Sequence, residues 1–172
     1  MKEIIVIRHG EKNGDSLTPH GVTACKELAE RIGAFTRAYA SERHRAIRTA
    51  ELVSKLPVIV DARANVPNFH DNVLRGLAKT QKTHQLGIIG AIWENNSLIN
   101  NAREAGVRMQ GLIEEVMKSL SDDERALIVS HDGTMIGLEK ILRNKSFDTV
   151  DHSFGPLEGF TIDQNLNVRN FH

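Results

Sequence analysis

Cysteine is almost absent from this 172-residue sequence, in which Cys25 is the single thiol. One thiol cannot form a disulfide within the chain or supply a metal–thiolate cluster, so a disulfide scaffold is excluded and a reducing, cytoplasmic compartment is expected. Long hydrophobic runs are missing as well. The apolar residues 4–7 are too few for a secretory signal or a membrane span. We therefore predict a cytoplasmic protein without a membrane partner.

An excess of either charge is also lacking, and aromatic residues are scarce. The 22 lysines and arginines balance 22 acidic residues, and aromatic residues make up only 5% of the chain. Without a basic, aromatic-rich surface, nucleic acid is not an expected partner, so any anion must be recognised by a local cluster. The four prolines are scattered and no repeat or linker interrupts the chain. One domain over residues 1–172 is predicted.

Buried strands alternate with amphipathic helices along the sequence. The apolar residues 4–7 and 126–129 show no polar alternation, which is typical of strands covered by helices on both faces. Short strands are predicted at residues 38–40 and 58–60, and residues 159–163 and 166–169 predict an antiparallel hairpin. Apolar spacing predicts helices over residues 19–35, 45–56, 98–120 and 135–142.

Local signals mark where two of these helices begin. Thr18 is the expected cap of the first helix, with Pro19 at its first position, and Ser97 is the expected cap of the third. Residues from about 61 to 97 have only weak periodicity and predict an irregular, partly helical excursion. The whole pattern predicts an α/β fold: a three-layer sandwich with a mostly parallel central sheet, helices on both faces and an antiparallel edge hairpin.

Two of the predicted buried strands end in a histidine at the second polar position. His9 follows Arg8, and His131 follows Ser130. In open α/β sheets, ligands bind at the carboxyl ends of parallel strands, so two neighbouring strands would direct both imidazoles to one cavity. Arg8 and the arginines of segment 41–45 add guanidinium groups, whose paired N–H donors suit a tetrahedral oxyanion. The sequence therefore predicts a phosphate site.

Four motifs in order together resemble the histidine phosphatase superfamily, the phosphoglycerate-mutase-like proteins. They are Arg8-His9-Gly10-Glu11, Leu17-Thr18-Pro19-His20-Gly21, the stretch from Ser41 to Ala50, and Ile128-Val129-Ser130-His131-Asp132-Gly133. The resemblance implies an α/β sandwich in which His9 is the nucleophile, forming a phosphohistidine. It also implies that Arg8, His9, Arg45 and His131 bind the phosphate. Glu42 stands where the family motif has proline, and Arg45, rather than Arg43 or Arg48, matches the motif arginine.

The chemistry expected of these residues needs no metal or other cofactor. Phosphoryl transfer asks mainly for positioning and for neutralisation of charge on three equatorial oxygens, which guanidinium and imidazolium groups supply. One nitrogen of His9 must be unprotonated to attack, with the other held as N–H by an acceptor near Gly10. The cations of Arg8 and Arg45 favour that neutral form. His131, if protonated, would stabilise the transition state.

The proton donor for the leaving group has two candidates. Asp132 follows the second histidine, as in the superfamily's acid phosphatase and phytase branch, where the resemblance implies that this residue is the donor. Asp71 lies in a shortened version of the stretch that supplies the acid in the mutase-like branch. Aspartate is also a favoured helix cap, so capping the helix that follows His131 is the alternative role of Asp132.

The function predicted from these residues is a metal-independent phosphatase that hydrolyses a phosphomonoester or phosphoramidate through a phosphohistidine on His9. The expected partner is a small phosphorylated substrate or a phosphoprotein. Two alternatives stay open: a mutase-type phosphotransferase, and a module that binds phosphate or a phosphoprotein without turnover. A ribonuclease that uses two histidines is disfavoured, because the chain has no basic, aromatic-rich groove.

Overall fold

The computed structural model describes residues 1–69 and 85–171. Within these residues, the strands are β1 (Glu3–Arg8), β2 (Lys12–Asn13), β3 (Ser16–Leu17), β4 (Arg37–Ala40), β5 (Val58–Val60), β6 (Arg125–Ser130), β7 (Gly159–Asp163) and β8 (Val168–Phe171). The helices are α1 (Pro19–Ile32), α2 (His44–Ser54), α3 (Gly87–Trp93), α4 (Asn96–Ser119) and α5 (Asp132–Leu142), with a short 3₁₀ turn at Ala62–Ala64.

Six of the strands form one mixed sheet in the order β5-β4-β6-β1-β7-β8. Strands β5, β4, β6 and β1 run parallel to one another, and β7 pairs antiparallel with both β1 and β8. The α/β fold with a mostly parallel sheet and an antiparallel edge hairpin is therefore confirmed. Its second edge strand begins later than predicted, at Val168 rather than at residue 166.

The central strands are buried on both faces, as their unbroken apolar runs predict. Ile5, Ile7 and Leu127 contribute to a core on the side of α1 and α2. Ile4, Val6 and Ile128 contribute to a second core, together with the helices α3, α4 and α5. Because successive side chains of a strand point to opposite faces, one apolar run serves both cores. Because helices cover both faces of the sheet, the polar residues that follow each strand lie at the carboxyl ends of the strands.

Helix starts follow local capping chemistry, with one correction. The Thr18 hydroxyl accepts a hydrogen bond from the backbone N–H of Gly21, as predicted for the cap of α1. The cap of α4 is Asn95 rather than Ser97, which lies inside the helix and donates its own backbone N–H to the Asn95 side chain. Asparagine and serine are both good caps, so the sequence did not distinguish them.

The excursion predicted over about residues 61–97 is partly helical where the structure describes it. It contains the 3₁₀ turn Ala62–Ala64 and helix α3, and its last residues already belong to α4. The short hairpin of β2 and β3 was not predicted, because its four strand residues have no apolar alternation. Among the helices of the described ranges, none has the length and apolar character needed to cross a membrane.

Candidate active site

Strand pairing brings the two strand-end histidines together. Strands β1 and β6 are parallel neighbours, and their register pairs Arg8 with Ser130, so His9 and His131 follow at equivalent positions. Both imidazoles are buried, and their ring centroids are 5.2 Å apart. The rings are thus close enough to contact one phosphate group, as the strand-end pattern predicted.

The hydrogen bonds of His9 define which of its nitrogens carries the proton. Nδ1 lies 2.9 Å from the carbonyl oxygen of Gly10, which can only accept, so Nδ1 bears the hydrogen. Nε2 accepts a hydrogen bond of 3.1 Å from Nε of Arg45. The lone pair on Nε2 therefore faces the guanidinium group, and the acceptor expected near Gly10 is the carbonyl of Gly10 itself.

His131 is held by a different set of partners. Its Nε2 lies 2.7 Å from the buried hydroxyl of Ser41, at the carboxyl end of β4. Its Nδ1 lies 3.4 Å from Nη2 of Arg45, which can only donate, so Nδ1 carries the lone pair and Nε2–H donates to Ser41. Ser41 was part of the motif but was assigned no role from the sequence. Here it accepts the Nε2–H hydrogen bond of the tautomer that the Arg45 contact selects.

Arg45 contacts both histidines and one carboxylate. From α2 it contacts both imidazoles, and its Nη1 donates to Oδ1 of Asp15 at 2.7 Å. Thr49, one turn later, donates to the Arg45 carbonyl and accepts from the N–H of Gly10, which joins α2 to the loop after His9. Sequence reasoning missed Asp15, because only the docking of the β2–β3 hairpin places it against Arg45.

Burial and neighbouring cations keep both histidines neutral in this structure. Burial, together with Arg45 and Arg8, lowers the pKa of His9 to about 4 from its ordinary value of 6.5. Burial, the neighbouring imidazole of His9 and the charges of Arg45, Arg43 and Arg8 lower the pKa of His131 to about 2. The protonated form considered for His131 is therefore not the form of this structure at neutral pH, and an added anion is needed to favour it.

Arg8, at the end of β1, lies close to Asp132, the residue after His131. Nη1 of Arg8 donates to the carbonyl of Phe154 and lies 3.6 Å from Oδ2 of Asp132. Nε of Arg8 is buried and has no hydrogen-bond partner in the described part of the chain. A buried donor without a partner is costly unless a ligand completes its hydrogen bond, which favours an anion beside Arg8.

Asp132 does not have the capping role considered for it. His131 occupies the cap position of α5, and Asp132 is the first helical residue. Its Oδ1 accepts a hydrogen bond of 2.9 Å from the N–H of Phe154. Burial raises the pKa of this carboxyl to about 6, against smaller opposing effects from the Phe154 hydrogen bond and Arg8. The other donor candidate, Asp71, lies outside the described residues.

Two further cations bear on the site: Lys12, which was not predicted, and Arg43, which belongs to the segment 41–45 whose arginines were predicted to contribute, although the motif match assigned the phosphate-binding role to Arg45. Lys12 of β2 contributes to the lowered pKa of His9, and Arg43 contributes to that of His131. Arg48, which the motif also excluded, points elsewhere and pairs with Glu51 at 2.9 Å. In residues 1–69 and 85–171 no group of three or more histidine, cysteine or acidic side chains is arranged to hold a metal ion.

Solved structures with this arrangement of strands and helices share low sequence identity with the chain. A mycobacterial glucosyl-3-phosphoglycerate phosphatase in complex with VO3 is 17% identical, with a TM-score of 0.74 over 99% of this chain and 98% of that one. A phosphoserine phosphatase from Entamoeba histolytica is 20% identical, with a TM-score of 0.66 over 100% and 96%. A phosphoglycerate mutase from Bacillus anthracis is 19% identical, with a TM-score of 0.67 over 98% and 92%. These similarities establish the fold.

Sequence comparison identifies the family. Comparison with curated proteins gives no significant match. The family described as histidine phosphatase superfamily (branch 1) matches residues 4–153. That range runs from β1 to the loop after α5 and includes His9, Arg45 and His131. Because the family match covers most of the sequence and the fold agrees with it, the chain belongs to the histidine phosphatase superfamily.

Proposed function

We propose that this protein is a metal-independent phosphatase in which Nε2 of His9 is phosphorylated and then hydrolysed. The observation that carries the proposal is the state of that nitrogen: its lone pair is unprotonated and accepts from Nε of Arg45 at 3.1 Å, beside His131. A nucleophile needs a free electron pair, and a phosphoryl group needs cations near its oxygens. His9 and Arg45 supply both at one point.

The first chemical step forms a bond from Nε2 of His9 to phosphorus and breaks the bond from phosphorus to the leaving oxygen. Arg45 transfers its hydrogen bond from Nε2 to a phosphate oxygen, which frees the lone pair for attack. Arg8, whose Nε has no partner in the described residues, donates to the same phosphoryl group. A bound dianion raises the pKa of His131, so this imidazole gains a proton and neutralises developing charge.

Asp132 is the proton donor in this proposal, because its carboxyl lies 3.6 Å from Arg8 beside the histidines and its pKa is raised. Its raised pKa of about 6 keeps a fraction of the carboxyl protonated near neutral pH, which is the property required of a general acid. The carboxyl gives its proton to the leaving oxygen, and as carboxylate it accepts a proton from the water that attacks the phosphohistidine. That second attack breaks the bond from nitrogen to phosphorus and restores Nε2 of His9. Asp71 is the alternative donor.

The proposed substrates are small phosphomonoesters or phosphoramidates, including a phosphorylated side chain of a partner protein, in the cytoplasm. Two structural neighbours are named for phosphatase activity on small metabolites. A mutase shares the fold as well. We favour hydrolysis over mutase activity because of the length of the excursion at residues 61–97. A mutase must keep its dephosphorylated product enclosed in the site, and this excursion is short for that task.

The decisive experiment measures turnover of p-nitrophenyl phosphate in excess chelator, with wild type, His9→Ala and the control His20→Ala. His20 is exposed on α1. We expect turnover to fall by more than roughly 10³-fold in His9→Ala and to be retained in His20→Ala. Acid-labile, base-stable label on His9 after rapid quenching would identify the intermediate. Phosphate binding without any turnover would instead support the phosphate-sensing module.

The donor is tested by the pH profile of kcat/KM in Asp132→Asn and Asp71→Asn. The variant that removes the donor should lose the alkaline limb of the profile and at least roughly 10²-fold in rate. Retention of that limb in Asp132→Asn, together with its loss in Asp71→Asn, would assign the role to Asp71.

A further inference from the structure

The loop between α5 and β7 contains a residue whose backbone contacts both Arg8 and Asp132. The N–H of Phe154 donates to Oδ1 of Asp132 at 2.9 Å, and the carbonyl of Phe154 accepts from Nη1 of Arg8. The Phe154 ring is buried, and its centroid lies 5.6 Å from that of Phe160 on β7. The position of the Phe154 backbone therefore helps to determine where the Asp132 carboxyl and the Arg8 guanidinium lie.

Two acids of α5 face this loop. Glu139 follows Asp132 by two helical turns, so both side chains lie on the same side of the helix. Asp132 accepts from the N–H of Phe154, and Oε2 of Glu139 lies 2.8 Å from Nε2 of His152. Helix α5 therefore contacts the loop both at Phe154 and at His152.

The contacts of His152 fit an imidazolium ion. Its Nδ1 lies 2.8 Å from Oδ1 of Asp151, and its Nε2 is equally close to Oε2 of Glu139. A neutral imidazole has one N–H, so one of its lone pairs would face a carboxylate oxygen, which can only accept. Glu139 is buried and also pairs with Nε of Arg143 at 2.9 Å. Cationic partners are needed there, because an uncompensated buried charge is strongly destabilising.

The His152 ring also packs on the Phe154 ring. The two centroids are 5.2 Å apart, and the angle between the ring planes is 88°. This edge-to-face arrangement is favourable for aromatic rings. The same imidazole thus contacts Glu139 through a nitrogen and Phe154 through its ring, so it connects α5 to the residue that holds Asp132.

The chain on the two sides of Phe154 is held in different ways. On the C-terminal side, the N–H of Leu157 donates to the carbonyl of Arg8 at 3.1 Å, and the N–H of Arg8 donates to the carbonyl of Glu158 at 2.9 Å. These bonds join backbone to backbone and continue the pairing of β1 with β7. On the N-terminal side, the side chain of His152 supplies the contact with α5. A substitution of His152 should therefore release Phe154 while the sheet stays paired.

We infer that His152 is a positioning residue for the proton donor and for a phosphate-binding arginine. Its ion pair with Glu139 and its ring contact fix Phe154. The Phe154 backbone in turn orients Asp132 and Arg8. The part that Asp132 plays in turnover rests on the proposed function, whereas the position of Phe154 can be measured without turnover.

The pKa of Asp132 is sensitive to this arrangement. Burial raises it to about 6, while the N–H of Phe154, Arg8 and His152 oppose the rise and Glu158 adds to it. Release of Phe154 removes a hydrogen bond to the carboxylate, which raises the pKa further. Loss of the His152 charge alone acts in the same direction. The hydrogen bond of the Phe154 amide must therefore be measured together with the pKa of Asp132.

Nuclear magnetic resonance measures both quantities in His152→Ala and in the exposed control His20→Ala. The Asp132 carboxyl is observed in protein labelled with ¹³C-aspartate and is assigned as the resonance that Asp132→Asn lacks. In His152→Ala we expect its pKa to rise by about 0.5–1 pH unit, because one hydrogen bond to the carboxylate is lost. Hydrogen exchange of the Phe154 amide should become about five- to tenfold faster, with exchange in β7 unchanged.

The control His20→Ala should change neither quantity. Glu139→Gln keeps the His152 ring and weakens its ion pair, so it should also speed exchange of the Phe154 amide. An unchanged pKa of Asp132 in His152→Ala would overturn the inference. So would a raised pKa without faster exchange at Phe154, because His152 would then act through its charge alone. Equally faster exchange throughout β7 would show general destabilisation and would also overturn it.

Turnover of p-nitrophenyl phosphate tests the consequence for catalysis. In His152→Ala the alkaline limb of kcat/KM should move to higher pH together with the pKa of Asp132, and kcat should fall by about three- to tenfold. His20→Ala should keep both. If wild type has no turnover but the resonance changes occur, the proposed function fails and the effect of His152 on Phe154 stands. Unchanged kinetics of His152→Ala in an active enzyme would overturn the inference alone.

Discussion

The same side chain, imidazole, takes two different states in this site because its partners differ. The carbonyl of Gly10 leaves the lone pair of His9 on Nε2, while the hydroxyl of Ser41 and the guanidinium of Arg45 leave that of His131 on Nδ1. Burial alone would make both rings neutral, as their lowered pKa values indicate. The hydrogen bonds decide which nitrogen of each ring carries the lone pair.

At the residue scale, the motifs predicted the side chains that form the site. They did not predict the residues that hold those side chains in place. His9, Arg8, Arg45 and His131 could be named because strand ends and motif spacing are local patterns. Asp15 could not be named, because nothing near it in the sequence indicates a guanidinium partner thirty residues further along the chain.

Asp132 provides a pH-dependent test at this scale. Its pKa is raised from 3.8 to about 6 in the folded chain, so the folded state binds more protons than the unfolded chain between these values. The free energy of unfolding therefore falls as pH rises through this window, and the full decrease is present above pH 6. Asp132→Asn should raise that free energy by on the order of 2 kcal/mol at pH 8 and by little at pH 4.

Urea unfolding of wild type and Asp132→Asn at both pH values measures this difference. The exposed Asp122→Asn is the matched control and should show the same small effect at each pH. If Asp132→Asn raises the free energy of unfolding equally at pH 4 and pH 8, burial of the charged carboxylate is not the cause of the increase.

At the scale of elements, the site depends on how β1 and β6 align. Their parallel register pairs Arg8 with Ser130, so the next residue of each strand is a histidine at the same height. A shift of one residue would move His131 to the opposite face of the sheet. The apolar runs predicted that both strands are buried, but their adjacency comes from long-range pairing.

Helices α4 and α5 pack unusually closely at Gly106 and Gly137. A Cβ atom on Gly106 would lie 2.4 Å from the carbonyl carbon of Gly137, so the two backbones are in direct contact. Helix α5 begins at Asp132, immediately after His131, and its position against α4 therefore helps to position the second histidine. The apolar stripe predicted α4 without indicating this contact, because a glycine adds nothing to the hydrophobic pattern.

A pair of glycines on the same helix tests the contact. Gly106→Ala should lower the free energy of unfolding by about 1–3 kcal/mol, since backbone must move to admit the methyl group. Gly111→Ala, where nothing lies within 4 Å of the added atom, should raise it by up to about 1 kcal/mol through helix propensity. Guanidinium unfolding distinguishes these opposite signs. A stabilising Gly106→Ala would show that the helices separate without cost.

At the scale of the whole molecule, a chain with no net charge brings four of its 22 basic side chains near the two histidines. The formal net charge is zero. Around His9, however, Arg8, Lys12, Arg43 and Arg45 outnumber the nearby Asp15 and Asp132. Composition alone therefore predicts no attraction to anions. The fold produces a local cationic field by bringing distant segments to one place.

Binding of inorganic phosphate tests that field through global stability. A ligand at about 100 times its Kd adds about 2.7 kcal/mol to the free energy of unfolding. Phosphate should therefore raise the Tm of wild type in a concentration-dependent way. Arg45→Ala should abolish that rise, and Arg48→Ala, which removes a surface pair with Glu51, should preserve it. An equal loss in both variants would show that general charge, and not the Arg45 site, binds phosphate.

The sequence by itself determined the alternation of strands and helices, the buried character of the central strands and the identity of the motif residues. These properties depend on neighbours within a few positions, through side-chain periodicity and capping. The tertiary structure decided the separation of the two imidazoles, their tautomers, the partner of Arg45 and the ionisation of Asp132. Those properties depend on burial and on charges carried by distant segments, which come together only when the chain folds.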